Sequence, residues 1–373
     1  MPRYKCNDCG GSFSYPFSSL MPGQQFTTRL YDQLKIRAMK EPFTVLSREY
    51  GISITKASDI LIEHGKKLYS DRRVIAPKVL GIDEKHIVKD KRGVLVDVER
   101  GILLEMRPDN KQETIREAIE SLINYDKNIK VVTIDMWTGY VSVVQECLPY
   151  ATIVVDKFHV VQLINKRVEK TRKKLYAYLK NEVEKMEDSD EKARKKALLT
   201  RLGKNVFLFR YNKKSLEKVE SRIKLLIELI ETFPELNLMH RLKEGLVRIY
   251  EAETRADAEA RYVKWTKLIP PKSEELYCEI HTLSRTIKNW HKYIFNYFDK
   301  GCGYTNAATE GVNLVIDMVN KSGYGYGFEA LRTKALYYSN EKYKQKTREK
   351  AKKYNFKAKK DSAADRFNAE STL

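Results

Sequence analysis

The segment from 77 to 161 constrains the fold of this chain most strongly, because its apolar residues change periodicity several times. Short β-branched and aliphatic runs, bounded by turn residues or acids, occur at 79–84, 93–98, 101–106, 130–135 and 151–156. Between them, 112–125 and 139–147 place apolar residues at the three- and four-residue steps of amphipathic helices. The predicted order is three strands, a helix, a strand, a helix and a strand.

This order predicts an α/β fold with a mixed sheet, of the ribonuclease H-like class. Turns separate the first three strands, which therefore form an antiparallel meander. The β-α-β part that follows crosses over right-handed. In this topology the fourth strand, 130–135, lies next to the first.

Two carboxylates stand at the ends of these neighbouring strands. Asp83 closes the first predicted strand and Asp135 closes the fourth. They would repel each other at one rim of the sheet unless a cation lies between them, and Mg²⁺ or Mn²⁺ accepts hard oxygen ligands from one or two carboxylates. A second metal needs one further carboxylate, for which Glu310, at the start of a predicted helix, is the candidate. Taken singly, each Asp also fits a turn and Glu310 a solvated charge.

Other polar residues follow the predicted strands. Asp156 fits either a further metal ligand or the N-cap of the next helix, and His159 fits the orientation of a carboxylate, proton transfer or packing. Lys85 and His86 fit either a phosphate contact or a solvated basic turn.

The segment before the sheet has the pattern of two consecutive helices. A short helix from Thr44 leads to Gly51 at a turn, and Ser53 then provides the N-cap of a second amphipathic helix. This is the pattern of a helix-turn-helix, whose second helix lies in the DNA major groove and would present Ser53, Thr55 and Lys56. A plain αα-hairpin fits as well, but 70 Lys and Arg against 50 Asp and Glu give a charge of +20, which favours DNA.

The first residues carry half of a possible zinc-ribbon motif. Cys6 and Cys9, followed by Gly10, form a C-x-x-C knuckle, but a structural Zn²⁺ site needs four ligands. The next cysteine is Cys147 and the first histidine is His64, so a half-knuckle without metal is favoured over a zinc site. The five cysteines are otherwise scattered, which argues against a disulfide framework and for a reducing compartment.

The remaining segments complete the predicted domain organisation. No apolar run approaches the roughly 20 residues that span a bilayer and no signal-like segment opens the chain, so we expect a protein of the cytoplasm, associated with the nucleoid and not with a membrane. We expect a partial zinc ribbon at 1–22, a helix-turn-helix domain at 23–75, the first part of the catalytic core at 76–164, a helical insertion at 165–285, the second part of the core with Glu310 at 286–345, and a basic tail at 346–373.

Several motifs, taken in order, resemble those of the ISL-three type of bacterial insertion-sequence transposases, and the resemblance covers nearly the whole chain. They are Gly81-Ile82-Asp83-Glu84, Asp135-Met136-Trp137 with Tyr140, Leu148-Pro149 with Ala151, Asp156 with Phe158-His159-Val160-Val161, Thr305-Asn306, Glu310-Gly311 with Asn313, and Gly323-Tyr324-Gly325. The resemblance implies a DDE transposase with catalytic acids at Asp83, Asp135 and Glu310, and Asn313 is a supporting candidate.

The resemblance also implies what the protein acts on. A transposase of this type cuts double-stranded DNA at the terminal inverted repeats of its element and joins the ends to target DNA, and assembly on two ends predicts a homodimer. An inactive DNA-binding remnant or regulator, and a structure-specific nuclease of the same fold, remain as alternatives. Similar proteins carry an earlier C-x-x-C knuckle, so we expect the start at Met1 to be truncated or misassigned.

Overall fold

A computed structural model describes residues 3–14, 19–20, 26–70, 74–123, 128–211, 217–271, 277–343 and 345. The strands are β1 Arg3–Lys5, β2 Ser12–Ser14, β3 Val79–Ile87, β4 Asp90–Asp97, β5 Ile102–Arg107, β6 Val131–Ile134 and β7 Thr152–Val155. The helices are α1 Thr28–Lys40, α2 Phe43–Tyr50, α3 Ile54–Ser70, α4 Gln112–Ile123, α5 Thr138–Cys147, α6 Lys157–Lys185, α7 Asp190–Lys204, α8 Glu220–Thr232, α9 Pro234–Ile249, α10 Arg255–Thr266, α11 Cys278–Phe295, α12 Ala307–Ser322 and α13, 328–343.

The larger sheet has five strands in the order β5-β4-β3-β6-β7. β4 and β5 pair antiparallel, whereas β3 pairs parallel with β6 and β6 parallel with β7. The four residues of β6 are all buried, as expected for a parallel strand covered on both faces. The predicted mixed α/β sheet is therefore confirmed, including the placement of the first strand beside the fourth.

The first strand of this sheet is longer than the sequence predicted. β3 does not end at Asp83 but continues to Ile87. A two-residue turn of Val88 and Lys89, with φ of 53° and 63°, then leads directly into β4. Hydrogen bonding to β4 keeps the polar residues after Asp83 extended, although they lack the apolar pattern of a buried strand.

The longer strand also changes the interpretation of Lys85 and His86. Both lie within β3, so the predicted basic turn is wrong at these positions. The Lys85 Nζ lies 2.6 Å from Oδ2 of Asp317 on α12, and this ion pair accounts for its charge.

The chain divides into two compact units, and β3 passes from one to the other after Asp83. Unit 1 comprises 1–76, 84–127 and 308–373, and unit 2 comprises 77–83 and 128–307. The predicted basic tail at 346–373 lies outside the described residues.

The core of unit 1 joins the N-terminal helices to strands β4 and β5 and to helices α12 and α13. Its buried members include Leu34, Leu46, Leu61, Leu103 and Leu331. The structure contains both of the helix-terminating and helix-capping residues that the sequence predicted between α2 and α3. Gly51 ends α2 in the left-handed region at φ 65°, and the Ser53 Oγ accepts the Lys56 backbone N–H at 3.0 Å before α3 begins.

Unit 2 combines the parallel strands with a long helical stretch. α6 begins at Lys157, two residues after β7, and continues for 29 residues. Within this stretch the Trp265 indole N–H donates to the Leu242 carbonyl at 2.8 Å and fixes α10 against α9. Among the helices that the structure describes, none combines the length and apolarity needed to cross a bilayer.

Candidate active site

Three aspartates lie in register just beyond the last parallel-paired residues of three neighbouring strands, although β3 itself continues past Asp83. The last residue pair between β3 and β6 is Gly81 with Thr133, so the same register places Asp83 beside Asp135. The register between β6 and β7 places Asp135 beside Asp156, whose backbone N–H still donates to the Ile134 carbonyl at 3.0 Å.

The register also places these carboxylates on one face of the sheet. Side chains two residues apart on a strand share a face, so Asp83 follows Gly81 and Asp135 follows Thr133 on the same face. Neighbouring strands lie roughly 5 Å apart, a spacing at which adjacent carboxylates repel unless a proton or a cation lies between them. The strand ends therefore concentrate negative charge at one edge of unit 2.

Asp156 and His159 extend this edge. Asp156 is 1% exposed and occupies the position directly before α6. Burial raises its pKa, the Asn306 backbone N–H opposes that rise, and the charge of Asp83 adds to it. The His159 Nε2 lies 3.9 Å from the Asp83 Oδ1, which is too long for a hydrogen bond but close enough for charge attraction when the imidazole is protonated.

Asn306 connects the edge to the chain that leads into α12. The Thr133 hydroxyl donates to the Asn306 Oδ1, and the Asn306 backbone N–H donates to the Asp156 Oδ1 at 3.1 Å. Thr133, Asp156 and Asn306 are all buried. We call Thr133, Asp156 and Asn306 the strand-end latch, because together they hold the residue that directly precedes α12.

The two remaining predicted site residues lie on α12. Glu310 is in its first turn and is exposed, and Asn313 follows one turn later. Both belong to unit 1, whereas Asp83, Asp135, Asp156 and His159 belong to unit 2. Within the described part of the chain, no group of three or more His, Cys, Asp or Glu side chains is arranged to hold a metal ion.

The donor chemistry of the strand ends nevertheless fits Mg²⁺. This cation takes oxygen from one or two protein carboxylates and completes its shell with water and substrate phosphate. Asp83 and Asp135 supply two carboxylates on adjacent strands, and the buried Asp156 Oδ2 has no hydrogen-bond partner among the described residues. A strand-end pair thus suits an ion that needs few protein ligands.

Cys6 and Cys9 supply two of the four ligands that a structural Zn²⁺ needs. The two cysteines lie between β1 and β2, and backbone N–H groups of Cys9 and Asp8 lower the pKa of the Cys6 thiol. That environment favours the thiolate, but two sulfurs fill only half of a tetrahedral shell. Among the described residues no third or fourth ligand joins them.

The three predicted DNA-contacting residues lie at the start of α3. Ser53 and Thr55 are exposed, and Lys56 is half-buried with its Nζ 5.9 Å from the centre of the Phe26 ring. The Ser53 Oγ already accepts the Lys56 backbone N–H, so Ser53 acts as a cap as well as an exposed hydroxyl.

Comparison with known protein families identifies the class of this protein. Residues 80–335 match a family whose description is "Transposase", which makes the protein a DNA-processing enzyme of the transposase class. The matching family model is DDE_Tnp_ISL3, and it covers more than half of the chain. The chain therefore belongs to the ISL-three-type transposase family. No curated protein matches it.

The sequence interpretation missed the strand-end latch. In the sequence, Asn306 was identified only as part of the Thr305-Asn306 motif, and Thr133 only as one residue of a buried strand. A signal was present, because Thr133 places a hydroxyl in an otherwise aliphatic run and a buried hydroxyl needs a partner. The partner could not be read from the sequence, since Asn306 lies 173 residues away.

Proposed function

We propose that this protein is a Mg²⁺-dependent DDE transposase with a ribonuclease H-like catalytic domain, which cuts DNA at the ends of its element and joins them to target DNA. The observation that carries the proposal is the register of Asp83, Asp135 and Asp156, which lie just beyond the parallel-paired residues of three adjacent strands. Membership in the ISL-three-type transposase family supports the same chemistry.

Asp83 and Asp135 are the proposed metal-holding pair, and Glu310 is the proposed third acid. The strand-end latch supports the role of Glu310, because Asn306 precedes α12 and Glu310 lies four residues further on. Four residues are about one helical turn. Glu310 therefore lies in the first turn of the helix that follows the latch directly in the sequence.

The side chains of the edge have separate tasks in this proposal. Bound Mg²⁺ or Mn²⁺ would supply activation of the attacking hydroxyl and stabilisation of the leaving oxygen. Asp83 and Asp135 fix the positions of the ligand oxygens. His159 orients Asp83 or moves a proton at this carboxylate, and Asp156 holds Asn306 through a buried hydrogen bond.

Helices α2 and α3 are the proposed helix-turn-helix that reads the ends of the element. The exposed start of α3 offers Thr55 and Lys56 to base edges and phosphates, and the charge of +20 attracts DNA. Two DNA ends must be brought together for transposition, so we propose a homodimer that acts on nucleoid DNA in the cytoplasm.

Replacement of the acids tests the catalytic proposal. We expect Asp83→Asn, Asp135→Asn and Glu310→Gln each to lower strand cleavage by at least about 100-fold, because each removes a ligand charge while keeping the shape of the side chain. Cleavage and joining are measured on duplexes copied from the DNA that flanks the gene, with Mg²⁺ or Mn²⁺. Binding of the same duplexes should persist in all three variants.

Asp97→Asn is the matched control, because Asp97 is also a buried strand-end aspartate. It ends β4, and its Oδ1 accepts the Arg100 backbone N–H at 2.9 Å, a bond that Asn can keep. This variant should cleave at the parent rate. An Asp135→Asn protein that still joins strands would contradict the assignment. A parent chain that binds end duplexes but cleaves none with either metal would instead indicate a DNA-binding regulator.

A further inference from the structure

Unit 1 contains a cavity of about 420 Å³ beside the start of α3. One wall comes from α2 and α3, and the other from the loop 323–327 that follows α12. Thr44, Thr55 and Ser58 contribute hydroxyl groups to it. Among the described residues that line the cavity, none is charged.

The loop 323–327, with the sequence Gly-Tyr-Gly-Tyr-Gly, is held in a defined conformation. Tyr326 is buried, packs edge-on against Phe43 at 5.0 Å between ring centres, and donates its backbone N–H to the Asn320 Oδ1 at 3.0 Å. A Cβ at Gly323 would lie 1.9 Å from the Tyr326 ring, so only glycine permits this packing. Gly325 has φ 96°, a conformation that also favours glycine.

This construction presents Tyr324 to solvent. Tyr324 is 89% exposed and has φ 57°, in the left-handed region that a bulky side chain rarely adopts. The neighbouring Tyr326 is anchored in the core, so the loop fixes the backbone on either side of Tyr324 while its ring packs against little of the protein. An exposed aromatic ring next to a cavity lined by hydroxyls is a surface for a partner with both apolar faces and hydrogen-bonding groups.

Double-stranded DNA is the partner that this surface fits. Hydroxyls and backbone N–H groups bind phosphate and sugar oxygens, and an aromatic ring packs against a sugar or a base edge. The cavity includes Thr55, which the proposed function places against DNA, so a duplex read by α3 would continue over the loop. The charge of +20 favours DNA, which is a polyanion, over an uncharged partner.

We propose that the loop 323–327 is a second DNA-binding element, with Tyr324 as its contacting residue and the Thr44 and Ser58 hydroxyls as phosphate ligands in the cavity. It flanks α3 and binds the sugar-phosphate strand next to the bases that α3 reads. The inference rests on the proposed function of α3 as the DNA-reading helix. The proposed loop contact is uncharged. Its contribution to binding can therefore be measured separately from the contributions of lysine side chains.

Salt dependence distinguishes the two kinds of contact. Neutralising a phosphate with Lys or Arg releases counterions and contributes about −0.9 to the slope of log K against log salt, whereas a neutral contact contributes nothing. Tyr324→Ala should weaken binding by about tenfold and leave the slope unchanged. Lys56→Ala should weaken binding and make the slope shallower by about 0.9.

The measurement is fluorescence anisotropy of the full chain with a labelled duplex copied from the DNA that flanks the gene, over a series of salt concentrations. Tyr178→Ala is the matched control, because Tyr178 is a 62% exposed tyrosine on α6. It should bind as the parent does. Tyr324→Phe keeps the ring and should retain most of the affinity, and thermal unfolding of each variant checks that the fold is intact.

The outcomes separate this inference from the function on which it rests. If Tyr324→Ala binds as tightly as the parent while Lys56→Ala binds more weakly, the loop contact is wrong and the reading by α3 stands. A changed slope for Tyr324→Ala would also overturn it, since the contact would not be neutral. If Lys56→Ala has the affinity and slope of the parent, α3 does not read DNA, and the proposed function of the helix pair fails first.

Discussion

Asp156 shows how one residue at the edge of the sheet can act through another. Its carboxylate is almost fully buried, which is costly for a charge and raises its pKa. One oxygen accepts the Asn306 backbone N–H. Within the part of the chain that the structure describes, the second oxygen has no hydrogen-bond partner. The Phe158 backbone N–H also opposes the rise in the pKa of this carboxyl, so Asp156 interacts with two backbone segments. A carboxylate buried in this way serves either as a metal ligand or as a positioning residue for Asn306.

Two substitutions of Asp156 distinguish these roles. We expect Asp156→Asn to keep most of the cleavage rate, because the amide oxygen still accepts the Asn306 N–H. Asp156→Ala leaves that buried N–H unsatisfied, at a cost of about 1–3 kcal/mol, and should lower both the melting temperature and the cleavage rate. Cleavage assays and thermal unfolding measure the two effects. If Asp156→Asn abolishes cleavage while its melting temperature is unchanged, Asp156 is a ligand instead.

At the residue scale, the order of elements predicted the neighbouring positions of the aspartates, but it did not predict the residues that bond to them. Asp135 and Asp156 follow β-branched runs, and parallel strands bring such positions to one edge, so the order of elements sufficed to place them together. The bond between Thr133 and Asn306 joins residues that are 173 positions apart. No local pattern specifies such a pair, because it depends on the packing of the chain between them.

At the element scale, periodicity predicted strands and helices but not where β3 ends. Four polar residues after Ile82 resemble a turn, yet pairing in the sheet keeps them extended to Ile87. Hydrogen bonding between strands satisfies backbone groups whatever the side chains are. A strand can therefore continue through polar residues, and the hydrophobic pattern does not show where it ends.

Helix α13 joins the N-terminal helices to β5 within unit 1. Arg332 forms a double hydrogen bond with Glu105 on β5, at 2.7 and 2.6 Å. On the side facing α1, the Lys334 Nζ donates to the carbonyls of Ala38 and Glu41 at 2.6 and 2.8 Å. Lys334 thereby satisfies carbonyls at the end of α1, which lack partners within that helix.

The pH dependence of stability tests the burial of Lys334. Burial lowers the pKa of its amine to about 8, below the roughly 10.4 of an unfolded lysine. Between these values the unfolded chain binds more protons, so the free energy of unfolding rises with pH, by up to about 3 kcal/mol. Lys334→Met removes this contribution. The melting temperature of the parent should therefore rise relative to that of the variant as the pH increases from about 8 to about 10.4.

Lys66→Met is the control for this experiment, because Lys66 is exposed on α3 and solvent surrounds its amine in both states. The difference in melting temperature between Lys66→Met and the parent should not vary over the same range of pH. If the difference in melting temperature between the parent and Lys334→Met stays constant across that range, the amine is not buried as described, and another group supports the end of α1.

At the scale of the whole molecule, the charge of +20 and the family membership point to the same partner. Basic residues attract DNA whatever its sequence, whereas the contacts of α3 select particular bases. These two contributions to binding depend differently on salt and on sequence. They can therefore be separated in one set of measurements on the complete chain.

We expect the affinity for a duplex of the flanking DNA to fall by about a thousandfold or more as salt rises from roughly 50 to 200 mM, linearly in log K against log salt. A duplex of the same length and scrambled sequence should give nearly the same slope and a weaker affinity at every salt concentration. The shared slope reports the counterions displaced by Lys and Arg, and the offset reports reading of the sequence. Coincident lines would indicate non-specific binding, and flat lines would show that the charge of +20 does not drive association with DNA.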